Sequence, residues 1–163
     1  MEFSLDILIN KPSEVVEEAE ETTEIKESTG DHKNVIKSLD PENVKKVIKE
    51  NVEADWPKDY QMQSYQIKNQ TEVYKDLLAL NLDTEVKEEI LDKVYADWKS
   101  DFQMVLFSYN NALEDYNEIG SLNLDTEKKK EILQEAKDKW SKDYGMVLYE
   151  YKNQLESYEA LEE

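Results

Sequence analysis

The residues best suited to chemistry recur in a fixed order. Trp56, Trp98 and Trp140 are the chain's only tryptophans, and each lies 42 residues from the next. Each is followed by an aspartate at the third residue (Asp59, Asp101, Asp143), an aromatic at the fourth and a methionine at the sixth. An aromatic at the ninth, an asparagine at the thirteenth (Asn69, Asn111, Asn153) and a tyrosine at the eighteenth complete the set. A carboxylate beside a row of rings could line a ligand box or act as an acid or base. The structural readings are plainer. Aromatics and methionines at helical spacing form core. An aspartate on the tryptophan's face can accept the indole N–H or stabilise a helix start. An asparagine repeated in an apolar seam sets helix register.

Other chemistry lacks its residues. The chain has no cysteine and one histidine, His32, in an acidic stretch where a solvated role is expected. That excludes thiolate sites, histidine-based zinc sites and the Glu-x-x-His di-iron arrangement of bundles. There is no glycine-rich phosphate loop. Asp83-Thr84-Glu85 and Asp125-Thr126-Glu127 lack the glycine and the terminal glutamate spacing of a calcium loop. No metal, cofactor or enzymatic activity is expected.

Composition points to helices. Three glycines and three prolines in 163 residues are too few for the turns of a sandwich or barrel. With 39% hydrophobic and 36% charged residues, the core must be a narrow seam. Asp40-Pro41-Glu42 reads as a helix start, with Asp at the N-cap and Pro at the first helical position. Asp83-Thr84-Glu85 and Asp125-Thr126-Glu127 open the corresponding helices of the second and third copies, and Gly120 marks a helix end. Apolar steps of three and four run unbroken from Ile90 through Trp98, Phe102, Val105 and Tyr109 to Ile119. They predict one nearly continuous helix of about 35 residues, roughly 50 Å long. Pro57 predicts a kink or break in the first copy; if all three copies share a break, each becomes a helical hairpin. The expected fold is all-α: three tandem repeats (41–82, 83–124, 125–163) in an elongated bundle of long antiparallel helices, kinked near each tryptophan.

Residues 1–34 are expected to be a separate acidic extension, partly disordered, with ten acids against three lysines. Phe3, Leu5, Ile7 and Ile9 alternate as a strand does and could add to a partner's sheet edge. Neither a signal peptide nor a membrane span is evident, so the cytoplasm of a host or virus-infected cell is the expected compartment.

The Trp-Pro-x-Asp-Tyr-x-Met-Gln-x-Tyr pattern of the first copy, continuing to Gln70, resembles a helical segment of small bacterial and phage proteins of unknown role. It covers about 25 residues per copy. The second and third copies depart from it at Pro57 (Lys99, Ser141) and Gln63 (Val105, Val147). The resemblance implies no catalytic residue.

A net charge of −19 argues against binding nucleic acid or an anionic membrane and favours a protein partner with a basic surface. Charge is uneven: residues 83–124 hold ten acids and three lysines, residues 41–82 seven and six. If charge carries function, its seat is Glu88, Glu89, Asp92, Glu114, Asp115 and Glu118, together with the N-terminal segment. Three roles follow as expectations. The first is an acidic protein-binding module, such as a phage-encoded inhibitor that sequesters a host factor. The second is a nucleic-acid mimic in a basic cleft. The third is a structural spacer or virion component.

Overall fold

A computed structural model describes residues 32–162. The strand-like Phe3, Leu5 and Ile7, and most of the acidic extension, lie outside the described residues. The described chain is all-helical. A short 3-10 turn (Val35–Ser38) precedes α1 (Pro41–Asp55), α2 (Tyr60–Leu78), α3 (Glu85–Trp98), α4 (Phe102–Gly120), α5 (Glu127–Trp140) and α6 (Tyr144–Glu162). Among the described residues no helix is long and apolar enough to cross a membrane.

Helix starts follow capping chemistry. The Asp40 carboxylate accepts from the Asn43 amide at 3.1 Å, with Pro41 at the first helical position. In the later copies the cap is the threonine: Thr84 accepts from Lys87 N and Thr126 from Lys129 N. The preceding Asp83 and Asp125 instead pair with the Lys87 and Lys129 ammonium groups, at 2.6 and 2.9 Å. Gly120 is the last residue of α4 rather than the residue beyond it, and Ser121 follows as the C-cap.

The long helix expected from Ile90 to Ile119 is two helices, α3 and α4, packed on each other. The same break separates α1 from α2 and α5 from α6. Each tryptophan carbonyl accepts from the amide of the aspartate three residues on, closing a tight turn at 3.0–3.2 Å. That aspartate then caps the next helix: Asp59, Asp101 and Asp143 accept from the amides of Met62, Met104 and Met146 at 3.0, 3.1 and 3.2 Å. One turn residue has positive φ in each copy: Lys99 (49°), Ser141 (53°) and Lys58 (65°). In the first copy it stands one place later, because Pro57, with φ held near −65°, cannot adopt that conformation. The break therefore does not depend on proline.

Each short helix packs on the long helix that follows it, and the long helices pack in series, α2 on α4 and α4 on α6. They meet end to start. Tyr74, late in α2, lies 5.2 Å from the ring of Phe102 at the start of α4. Tyr116, late in α4, lies 5.1 Å from Tyr144 at the start of α6. Buried residues form two clusters, one from Ile36 to Tyr109 and one from Ile119 to Tyr151, with Tyr144 packed against both.

The folded body starts earlier than the expected boundary at residue 35. Asn34 is buried, caps the 3-10 turn and donates to the Leu77 carbonyl at 2.8 Å. His32 is not solvated: its side chain is 9% exposed and its Nδ1 lies 3.2 Å from Glu88 Oε2.

Candidate functional site

A groove lies between each of the first two short helices, α1 and α3, and the turn of the next helix pair. The first groove is lined by Ile48, Asn51, Val52, Ala54, Asp55 and Gln70, closed by Trp98, Ser100 and Asp101, and holds 250 Å³. The second holds 520 Å³ and uses the residues 42 positions on, among them Ile90, Lys93, Val94, Asp97, Ala112, Lys142 and Asp143. It also takes in Glu89, Asp92, Trp98, Ser108, Asn111, Asp115, Tyr144 and Gly145.

Their contents differ for identifiable reasons. In the first groove Gln70 Nε2 reaches Asp101 Oδ1 and Gln103 Oε1, each at 3.5 Å, and Asn51 donates to Ser100 at 3.0 Å. In the second, Ala112 and Gly145 stand where the first has Gln70 and Gln103, so both filling side chains are gone. Asp115 stands where the first has Val73. Its Oδ2 takes the space a side chain at Gly145 would need, 3.1 Å from where a β-carbon would be.

Charge in the second groove is partly compensated. Lys142 pairs with Glu89, and Lys93 with Asp97 at 3.6 Å. Asp92 and Asp115 have no ion pair among the described residues. Burial, then the neighbouring Glu118 and Glu114 charges, raise the Asp115 carboxyl above the ordinary carboxylate range, with Lys152 opposing. Burial and then Glu88 raise Asp92. Among the described residues no three histidine or carboxylate groups are placed to hold a metal. The chemistry on offer is recognition of a cation: the partly buried Asp115 and exposed Asp92 carboxylates, an apolar floor of Ile90 and Val94, and Trp98 at 43% exposure beside them.

The structure brings together three of the six acids singled out from sequence, Glu89, Asp92 and Asp115. Glu88 is turned to His32, Glu118 pairs with Lys152 at 2.6 Å, and Glu114 is exposed outside the groove. Asp97, Asp143 and Trp98 were not expected there as lining. Comparing the copies position by position would have found the groove, since two facing glutamines are lost only at the second junction.

The repeated residues divide between roles. Asp59, Asp101 and Asp143 are helix caps, and none accepts an indole N–H; Trp140 Nε1 donates instead to Glu150 at 3.4 Å. Trp56 and Trp98 are exposed rather than core, and Trp140 is half-buried. The ring at the ninth place is exposed in every copy: Tyr65, Phe107 and Tyr149. Asn111 and Asn153 are exposed and Asn69 half-buried, so they set no register in a buried seam. Asn111 and Asn153 stand two residues after the buried Tyr109 and Tyr151, and so on the opposite side of the helix from those rings. Comparison with protein-family models, curated proteins and solved structures finds no match for the chain.

Proposed function

We propose that the chain is three tandem copies of one helix-pair unit and serves as a non-enzymatic module that binds a protein with a basic surface. The observation that carries this reading is the contrast between the two grooves. The same architecture is filled by glutamines at one junction and opened to carboxylates at the next. An arginine or lysine side chain of the partner fits the second groove: its stem lies on Ile90 and Val94, and its charge meets Asp92 and Asp115. A nucleic-acid mimic is the weaker reading. It needs free carboxylates along a face, whereas many exposed acids here are matched by lysines one turn away, as in Lys45–Glu42, Lys46–Glu50 and Lys49–Glu53.

The test is calorimetric titration with a short arginine-rich peptide as probe, on the full chain and on an Ala112→Gln/Asp115→Val/Gly145→Gln variant that refills the groove as at the first junction. The expected result is binding by the native chain and a loss of about tenfold or more in the variant. Equal affinity for both would overturn the reading. Affinity that collapses steeply and linearly with log salt in both proteins would favour the mimic instead.

A further inference from the structure

The end-to-start contact between long helices occurs twice among the described residues, and the matching residues at the start of α2 and the end of α6 have no such contact there. Tyr74 meets Phe102, and Tyr116 meets Tyr144. The next residue in the first series is Tyr158, late in α6; the residue before Phe102 in the second series is Tyr60, at the start of α2. Phe102 is 2% exposed, but Tyr60 is 76% exposed. On the α6 side Tyr158 is half-buried against its own cluster, with the Lys128 ammonium 5.8 Å from its ring centre, and the open residue lies at the helix end. Leu77 and Ile119 are 0% and 8% exposed, and their counterpart Leu161 is 85% exposed. Tyr60 and Leu161 are the two most exposed large hydrophobic residues among those described.

We infer that copies of this chain associate head to tail, the end of α6 in one copy seating on the start of α2 in the next, through the contact that joins the long helices within a chain. The polar groups match as well. The first internal junction sets Gln70 against Asp101 and Gln103. The same register between copies sets Gln154 against Asp59 and Gln61, the same three residue types in the same order. The second internal junction is bridged by Glu89 and Lys142; between copies the corresponding residues are Glu131 and Lys58, again acid against amine. The interface is weaker than its internal versions. Gln63 stands where Val105 and Val147 are fully buried, and each chain carries a charge of −19 that repels its neighbour. A heterologous contact of this kind propagates into short chains or rings rather than stopping at a dimer.

Sedimentation velocity on the full chain tests this, from micromolar to millimolar concentration and at rising salt. The expected result is a weight-average mass that climbs above 19.2 kDa with concentration, and climbs sooner at high salt as self-repulsion is screened. Salt acts here in the opposite sense to its effect on a basic peptide. Tyr60→Glu and Leu161→Glu, both at exposed sites, each reduce association about tenfold or more. An equimolar mixture of the two variants retains one good head and one good tail, and stops at the dimer. A mass fixed at that of the monomer up to millimolar concentration overturns the inference. So does self-association that both substitutions leave intact, or a mixture that forms no dimer.

Discussion

The two grooves share backbone, caps and a buried isoleucine–valine floor, yet one is filled and the other open. Three of the positions that differ bear on how full each groove is: Gln70, Val73 and Gln103 at the first junction, against Ala112, Asp115 and Gly145 at the second; Asn51 and Ser100 also give way to Lys93 and Lys142. Two of the three remove side chains, and the third introduces a carboxylate where the first junction packs a valine. The residues that recur at 42-residue spacing hold the turns, and the two grooves differ through residues that do not recur. The copied tryptophans and aspartates form the turns, whereas the candidate site lies in what differs.

The comparison breaks most easily at the core. Leu91 is fully buried in the larger cluster and Leu133, its counterpart, is buried in the smaller one. Leu91→Ala is expected to cost about 2–5 kcal/mol, and Leu133→Ala to fall at the lower end of that range because its cluster is the smaller and it is slightly less buried. Chemical denaturation with a check that the slope is unchanged measures both. Equal losses would mean that the two clusters unfold as one unit of uniform packing.

Rebuilding the first groove at the second junction is the next largest step. Ala112→Gln with Asp115→Val and Gly145→Gln restores the three residue types of the first junction. Binding of an arginine-rich peptide should fall by at least about tenfold, or roughly 1.4 kcal/mol, while circular dichroism and melting stay near native. The reverse exchange, Gln70→Ala with Val73→Asp and Gln103→Gly, should create a second, weaker site at the first junction. If neither exchange moves affinity, the groove is not the binding surface.

How far the sequence was legible follows from the same turns. The helix at Asp40-Pro41 could be placed because its cap and its proline announce it locally. The breaks after the tryptophans could not be read from periodicity. Each spans about one turn's worth of residues, so Trp98, Phe102 and Val105 keep steps of four and three across the break. The informative residue was the aspartate three places on, poor inside a helix and good at its N-cap. The exposure of Phe107 was legible from phase. It lies five residues after Phe102, about 140° around the helix at 3.6 residues per turn. His32 was misplaced because a single polar residue in an acidic stretch carries no pattern, and only the packing of the 3-10 turn brings it to Glu88. The groove required subtraction of one copy from another rather than inspection of either.

The caps give a smaller effect of the same kind at all three turns. Replacing Asp59, Asp101 or Asp143 with Ala should each cost about 1 kcal/mol, since each leaves a methionine amide without its acceptor. Relieving the positive-φ residue should act in the other direction. Lys99→Gly and Ser141→Gly are each expected to stabilise by about 0.5–1 kcal/mol, because glycine adopts that conformation without a β-carbon clash. The matching change in the first copy is Lys58→Gly, not Pro57→Gly. If the glycine variants melt lower than native, the turns are held by their side chains rather than strained by them.

The smallest expected effect separates the grooves by pH. The Asp115 carboxyl is raised by burial and by Glu118 and Glu114, and its counterpart Val73 does not titrate. A raised carboxyl means that the folded state binds the proton more tightly than the unfolded chain does. Its contribution to stability is therefore fully present below the unfolded value near 3.8 and is lost as pH rises through the folded value. Asp115→Asn removes that loss. The variant should equal the native protein in melting temperature in strong acid and exceed it slightly at neutral pH, by no more than about 0.5 kcal/mol for so exposed a group. An arginine side chain seated in the groove should reverse the sign, because it favours the charged carboxylate; peptide binding then releases a proton over the pH range where Asp115 titrates. A calorimetric titration in two buffers of different ionisation enthalpy reads that proton directly. Proton release that survives Asp115→Asn unchanged would place the linkage at Asp92 instead, whose carboxyl is raised by burial and by Glu88.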